Sequence, residues 1–213
     1  FQYIAWALLK GEVAYRDVRD VNGPLTPLVH LLAWQLGGAD EHRFRVLDFA
    51  VTALVFGFVG ACLPGIANRG RVSWLERAGW AVASWVVLQG QLLLYLYWDL
   101  AQRETFFNWF MLASVALQLV AQRALARDEA RQEGAGIAGL LRASPLLMLT
   151  GALSVIPWFG KPTYALFTFA QLLTLLVDPL PVSRKKRLVW FAFGGALGVA
   201  SQLLFLVVFG DAL

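Results

Sequence analysis

Ionisable side chains are scarce in this chain, and they are gathered. The stretch "WDLAQRETFFNWF", residues 98–110, places Asp99, Arg103 and Glu104 within six positions, where an apolar helix should begin. Arg16, Asp17, Arg19 and Asp20 stand together in "AYRDVRD", and Lys161 sits inside "PWFGKP". Arg45 and Asp48 are three apart and so share a helical face. Charged groups beside long apolar runs are expensive, and by default they line a cavity or a site. Each has a plainer alternative: a structural ion pair for Arg45 and Asp48, an i,i+4 pair closing a turn for Asp99 and Arg103, and snorkelling to lipid headgroups for Lys161. His30 lies on an apolar stripe and reads as a packed histidine. One cysteine, Cys62, excludes an internal disulfide and a cysteine-based zinc site. With His30 and His42 the only histidines, a metal at these groups would take carboxylate oxygens, which suits magnesium or manganese better than zinc.

The elements that position these charges follow from composition. The chain has 213 residues, of which 59% are hydrophobic and 15% charged, with nine Trp and a mean hydropathy of +0.61. A soluble domain carries about 25% charge, so the solvent matching this chain is a lipid bilayer. Its net charge of +4 points to no nucleic-acid partner, because in a membrane protein the distribution of Lys and Arg matters more than their sum. Cys62 falls in an apolar run and reads as a small buried hydrophobe. The chain opens at Phe1 with neither Met nor a charged segment and cleavage site, so no signal peptide is visible and a start inside a longer protein is expected.

A crossing helix needs about 20 apolar residues. Six runs qualify, at about 45–62, 78–97, 104–122, 144–159, 161–177 and 188–209. A straight helix over 144–177 would be about 50 Å long, too long for a bilayer, and Pro157, Gly160 and Pro162 predict a hairpin instead. The loops give an independent test. Arg69, Arg71 and Arg77, then Arg123, Arg127, Arg131 and Arg142, then Arg184, Lys185, Lys186 and Arg187 make up eleven of the eighteen basic residues. Six alternating spans put all of them on one side, the cytoplasm by the positive-inside rule. Residues 1–44, the turn at 98–104 and the tip at 158–162 then lie outside. In that outer segment, "FQYIAWALLKG" has Phe1, Ile4, Ala5 and Leu8 on one face, and "PLTPLVHLLAWQL" at 24–36 is apolar but too short to span. Both suit helices lying in the interface, with Trp6 and Trp34 as anchors. The fold expected is all-α: a polytopic transmembrane helical bundle of about six spans over 45–213, preceded by two interfacial helices within 1–44.

The order of these parts resembles the membrane-embedded glycosyltransferases of the GT-C fold, in particular the protein mannosyltransferase and aminoarabinose transferase branch. The resemblance rests on "FQYIAWALLKG", "AYRDVRD", "NGPLTPLVHLLAWQLGG", "HRFRVLD", "AQRETFFNWF" and "FGKPTYAL", and runs over nearly the whole chain. It implies an enzyme of the bacterial inner (cytoplasmic) membrane with its site at the outer face. The implied donor is a polyprenyl-phosphate-linked sugar, and the implied chemistry is an inverting transfer. A carboxylate takes the proton of an acceptor hydroxyl, which attacks the anomeric carbon, while cations stabilise the departing lipid phosphate.

In that scheme Asp17, Asp20 and Glu104 are the candidate catalytic carboxylates. Arg16, Arg103 and Lys161 bind the donor phosphate, and Asp99, Arg45 and Asp48 support them. Two departures from the family pattern stand out. Its principal catalytic acid, at the outer end of the first span, would fall before Phe1. Where aminoarabinose-transferase relatives carry a phosphate-binding Lys in "KP", this chain has Asn22 and Gly23 ahead of Pro24. Two other functions remain open. One is a non-catalytic subunit packing against other membrane subunits. The other is a secondary transporter, against which stands the absence of paired Gly/Pro-broken segments in matching halves.

Overall fold

In the computed structural model, residues 2–13, 16–17, 23–38, 40–67, 72–95, 103–130, 137–178 and 184–209 are described. Every regular element among them is helical: α1 (Gln2–Leu9), α2 (Leu25–Gly37), α3 (Glu41–Ala67), α4 (Trp74–Tyr95), α5 (Arg103–Ala130), α6 (Ile137–Val155), α7 (Ala165–Val177) and α8 (Arg184–Phe209). Among the described residues, three stretches are long and apolar enough to cross a membrane: Glu41–Gly65, Thr105–Ala126 and Arg184–Phe205. Ser144–Phe159 and Pro162–Val177 are apolar but shorter. Large apolar side chains face outward along α4, α7 and α8, among them Trp74, Trp80, Trp85, Leu166, Phe169 and Leu204. Water would not tolerate such a surface, and lipid would.

Short-range chemistry sets the helix ends. Ser73 Oγ accepts the Glu76 N–H at 3.1 Å, half of an S-x-x-E capping box that starts α4. Asp40 Oδ1 accepts the His42 N–H at 2.8 Å and starts α3. Gly38, at φ +75°, ends α2 by donating to the Trp34 carbonyl, and Arg43 Nη1 reaches back to the Gly37 carbonyl at 3.0 Å. At the other end of α3, Arg77 from α4 donates to the Ala61 carbonyl at 3.0 Å.

The long helices pack through small residues. A Cβ on Gly194 of α8 would lie 1.8 Å from the Met148 carbonyl oxygen of α6, and one on Gly151 of α6 would lie 1.9 Å from that of Phe191. Gly194 and Gly198 are four apart on one face, so α6 and α8 approach backbone to backbone. Gly60 does the same for α3 against α4, where a Cβ would come within 2.5 Å of Ser84 Oγ and the Trp80 carbonyl.

The chain turns sharply between α6 and α7. Two short 3-10 turns, Ile156–Phe159 and Pro162–Tyr164, form an elbow at the "PWFGKP" stretch. The starts of α3 and α5 and this elbow meet under α2 in one apolar cluster of Leu25, Val29, Ala33, Phe44, Phe106 and Phe107. Beside it, Ala5 and Leu8 of α1 and Leu31 of α2 close over Phe205 near the end of α8. α2 turns Leu25, Val29, His30, Leu31 and Ala33 onto the bundle, since the apolar stripe that could face lipid finds protein partners there.

Candidate functional site

Of the site residues nominated by the sequence, the described ones can be followed individually. Asp20 and Asp99 lie outside the described residues. Arg103 and Glu104 form the first turn of α5, and their side chains lie outside the described set.

Arg16 and Asp17 hold each other. The guanidinium meets the carboxylate at two points, Nε to Oδ1 and Nη2 to Oδ2, both 2.9 Å. The Val13 N–H adds a third bond to Oδ2 at 2.9 Å, and the Asp17 N–H returns to the Val13 carbonyl at 3.0 Å. These contacts hold the exposed Asp17 carboxyl down at about 2, chiefly through the Arg16 bonds and then the Val13 N–H. So low a basicity fits Asp17 poorly to proton abstraction near neutrality and fits it well to fixing Arg16.

On α3, Arg45 pairs with Glu41 one turn earlier, Nε to Oε1 at 3.1 Å. Asp48 is fully buried. Phe44, Asp48 and Thr52 follow at four-residue spacing and so share a face. Thr52 Oγ1 accepts the Trp109 indole N–H of α5 at 2.8 Å. Because α3 and α5 both begin under α2, one turn up from that bond sets Asp48 level with Thr105, just inside the turn of Arg103 and Glu104. His30 of α2 stacks on Phe44 with ring centroids 4.4 Å apart and meets Phe106 edge-on at 6.0 Å. Burial pushes its pKa down to about 4, so the ring is neutral at physiological pH and behaves as a packed aromatic.

The elbow completes this end. Gly160 lies flat on Phe107, leaving 2.1 Å between a would-be Cβ and the ring Cζ. Tyr164 donates to Asn108 Oδ1 at 3.2 Å, and its ring meets Phe107 edge-on at 5.5 Å. Trp158 donates its indole N–H to Thr168 Oγ1 at 2.9 Å, and Thr168 donates to the Ser154 carbonyl at 2.8 Å. The elbow is thus bonded to α5 on one side and to α6 and α7 on the other, and exposed Lys161 projects from its middle. The contacts of Gly160 and Tyr164 bring the elbow that carries Lys161 against the early turns of α5; Arg16 and Asp17 close a loop of their own with Val13. Among the described residues, no three His, Cys, Asp or Glu side chains gather as a cation site.

Sequence reading missed a polar ladder between α5 and α7, buried at Ser114, Gln118 and Gln171. Ser114, Gln118 and Gln122 of α5 face Gln171, Thr174 and Asp178. Gln171 Nε2 donates to Ser114 Oγ at 2.9 Å, Ser114 donates to the Thr150 carbonyl at 2.9 Å, and Gln118 Nε2 donates to the Gln171 carbonyl at 3.0 Å and to Thr174 Oγ1. Gln122 Nε2 donates to Asp178 Oδ2 at 2.9 Å. The ladder ends on a fully buried Arg187, whose Nη1 lies 3.3 Å from Asp178 Oδ2 and whose Nη2 donates to the Asp178 carbonyl at 3.1 Å. The spacing 114, 118, 122 was the available signal. No protein-family model, curated protein or solved structure matches the chain.

Proposed function

We propose that this chain is the module of a bacterial inner-membrane glycosyltransferase, with α3 to α8 as six crossings and residues 1–44 on the outer face. It moves a sugar from a polyprenyl-phosphate donor to an acceptor hydroxyl with inversion at the anomeric carbon. The observation that carries this reading is the seating of the elbow on α5. The Gly160–Phe107 contact and the Tyr164–Asn108 bond bring the Lys161 segment to the first turns of α5, which begin with Arg103 and Glu104.

In the proposed reaction Glu104 accepts the acceptor's hydroxyl proton, and the freed oxygen bonds to the anomeric carbon. The bond from that carbon to the phosphate oxygen breaks, and the lipid phosphate leaves with the electron pair. Lys161 and Arg103 stabilise the charge growing on it. Asp17, held near 2, serves Arg16 rather than acting as base.

The test uses the full-length protein in vesicles with a panel of radiolabelled polyprenyl-phosphate-linked hexoses, reading the release of polyprenyl phosphate. Lys161→Ala and Glu104→Gln should each lower release at least a hundredfold with unchanged thermal unfolding. Wild-type release in both variants sinks the reading. A second reading, a non-catalytic membrane subunit, draws on the peripheral placement of α4, where a Cβ on Gly79 or Gly90 would meet nothing within 4 Å. It predicts no release from any donor and a stable complex with another membrane chain.

A further inference from the structure

The far end of α8 carries charges that the proposed chemistry does not use. Arg184, Lys185 and Lys186 form its first turn and are exposed, and no described acidic side chain pairs with any of them. The fourth member of the run, Arg187, turns inward and takes up the carboxylate of Asp178. The acid nearest in sequence is therefore already neutralised. Three cations at a helix N-terminus also oppose the helix dipole, whose positive end lies there. Such an arrangement is stabilised by an external anion.

The side chains beneath these cations narrow the class of that anion. Lys185, Val189, Phe193 and Leu197 are spaced by four and so form one line down α8. Val189 is 63% exposed, Phe193 50% and Leu197 49%. Trp190, one turn below Lys186, meets the Phe193 ring edge-on at 6.4 Å, an aromatic pair at the depth where a span meets the headgroups. On the neighbouring α7, Leu176 and Val177 are exposed near the same end. A free phosphate would use only the cations. A molecule with an anionic head and acyl chains uses both the cations and the apolar line.

We propose that the first turn of α8 is a seat for an anionic phospholipid, with its headgroup on Arg184, Lys185 and Lys186 and an acyl chain along Val189, Phe193 and Leu197. The proposal rests on α8 lying in a bilayer and not on glycosyl transfer, so the two fail separately. A surface cation near an anionic leaflet changes lipid association by roughly fivefold.

The test is lipid selectivity at the protein surface, measured by electron paramagnetic resonance with spin-labelled phosphatidylglycerol and phosphatidylcholine around the full chain in vesicles. The wild type should prefer the anionic label. The triple variant Arg184→Gln, Lys185→Gln, Lys186→Gln should lose that preference while unfolding at the same temperature. Lys161→Gln, at the opposite end, should keep it. Equal association of both labels with the wild type, or unchanged selectivity in the triple variant, overturns the proposal. Should the triple variant fail to insert, Lys185→Gln alone is measured, and a preference undiminished in that variant refutes the seat.

Discussion

Gly160→Ala is the sharpest perturbation of the proposed site, because it alters nothing but one contact. Gly160 has φ −100°, a backbone conformation that alanine adopts without strain. The added methyl, however, would stand 2.1 Å from Cζ and 2.2 Å from Cε1 of Phe107. Carbon atoms rest at about 3.5–4.0 Å, so the elbow and α5 must part by roughly 1.5 Å. Phe107 has little room to retreat. It is fully buried, with Phe106 edge-on at 5.1 Å and Tyr164 at 5.5 Å. Overpacking of this kind costs about 1–3 kcal/mol, and restricting the unfolded chain returns about 0.4–1 kcal/mol. The net loss is about 1–2 kcal/mol, a fall of roughly 2–8 °C in unfolding midpoint for a chain of this length.

The functional effect should be larger than the loss of stability. Lys161 is the next residue, and displacing a positioned group by about 1 Å lowers turnover on the order of a hundredfold. Thermal unfolding in detergent, followed by tryptophan fluorescence, gives the first quantity, and polyprenyl-phosphate release in vesicles gives the second. Phe107→Leu should destabilise by itself through the space it leaves, yet it should partly rescue Gly160→Ala by making room for the methyl. A Gly160→Ala protein that melts with the wild type, or a double variant whose losses simply add, would refute the seating of the elbow on α5.

Two further outcomes test the parts around that contact. Gln118→Leu removes the donor to Gln171 and Thr174, and its loss should be non-additive with Thr174→Val by about 0.6 kcal/mol, read as a coupling in thermal unfolding; additive losses would mean that the ladder bonds do not hold α7. His30, lowered by burial from 6.5 to about 4, is neutral in the folded protein between those values while the unfolded chain takes up a proton. Stability should therefore fall as pH drops from about 6.5 to about 4, by about 3 kcal/mol in all, and His30→Phe should flatten that slope; an unchanged slope in the variant would place the ring in water.

How much of this was legible in the sequence depends on the range of the interaction. Elements set by local chemistry were readable. Pro157, Gly160 and Pro162 announced the elbow, and the apolar runs announced α3, α5 and α8 to within a turn or so at most ends. Pairings set by distant partners were not. Gln118 interrupts an apolar run, and its reason is Gln171, more than fifty residues away. Arg184, Lys185, Lys186 and Arg187 count alike as basic loop residues in the sequence, yet helical geometry turns Arg187 inward to Asp178. Asp48 and Arg45 sit three apart; the bond from Arg45 to Glu41 one turn earlier, and the full burial of Asp48, were not readable from that spacing. The loop of Arg16 and Asp17 was nominated as half of a catalytic set. The bidentate bond instead makes Asp17 a weak base, an effect that only the actual contact could reveal.

The placement of polar groups along the bundle separates structure from chemistry. Between its ends, the buried polar side chains are mostly uncharged: Gln89 bonded to the Phe49 carbonyl, Ser114 to that of Thr150, Thr168 to that of Ser154, and Gln118 to that of Gln171. In a bilayer such neutral bonds join helices at little risk, because neither partner carries a charge that lipid would have to solvate. Ionisable groups collect at the two ends, and they are treated differently there. At the basic end, Asp178 is closed off by Gln122 and Arg187, while Arg184, Lys185 and Lys186 are exposed. At the α2 end, Lys161 is exposed on the elbow and Asp48 is buried on α3. A single-sign surface recruits ions or lipid headgroups. The glycosyl transfer we propose draws on the α2 end, because a breaking bond needs a cation for the leaving oxygen and a carboxylate for the attacking one.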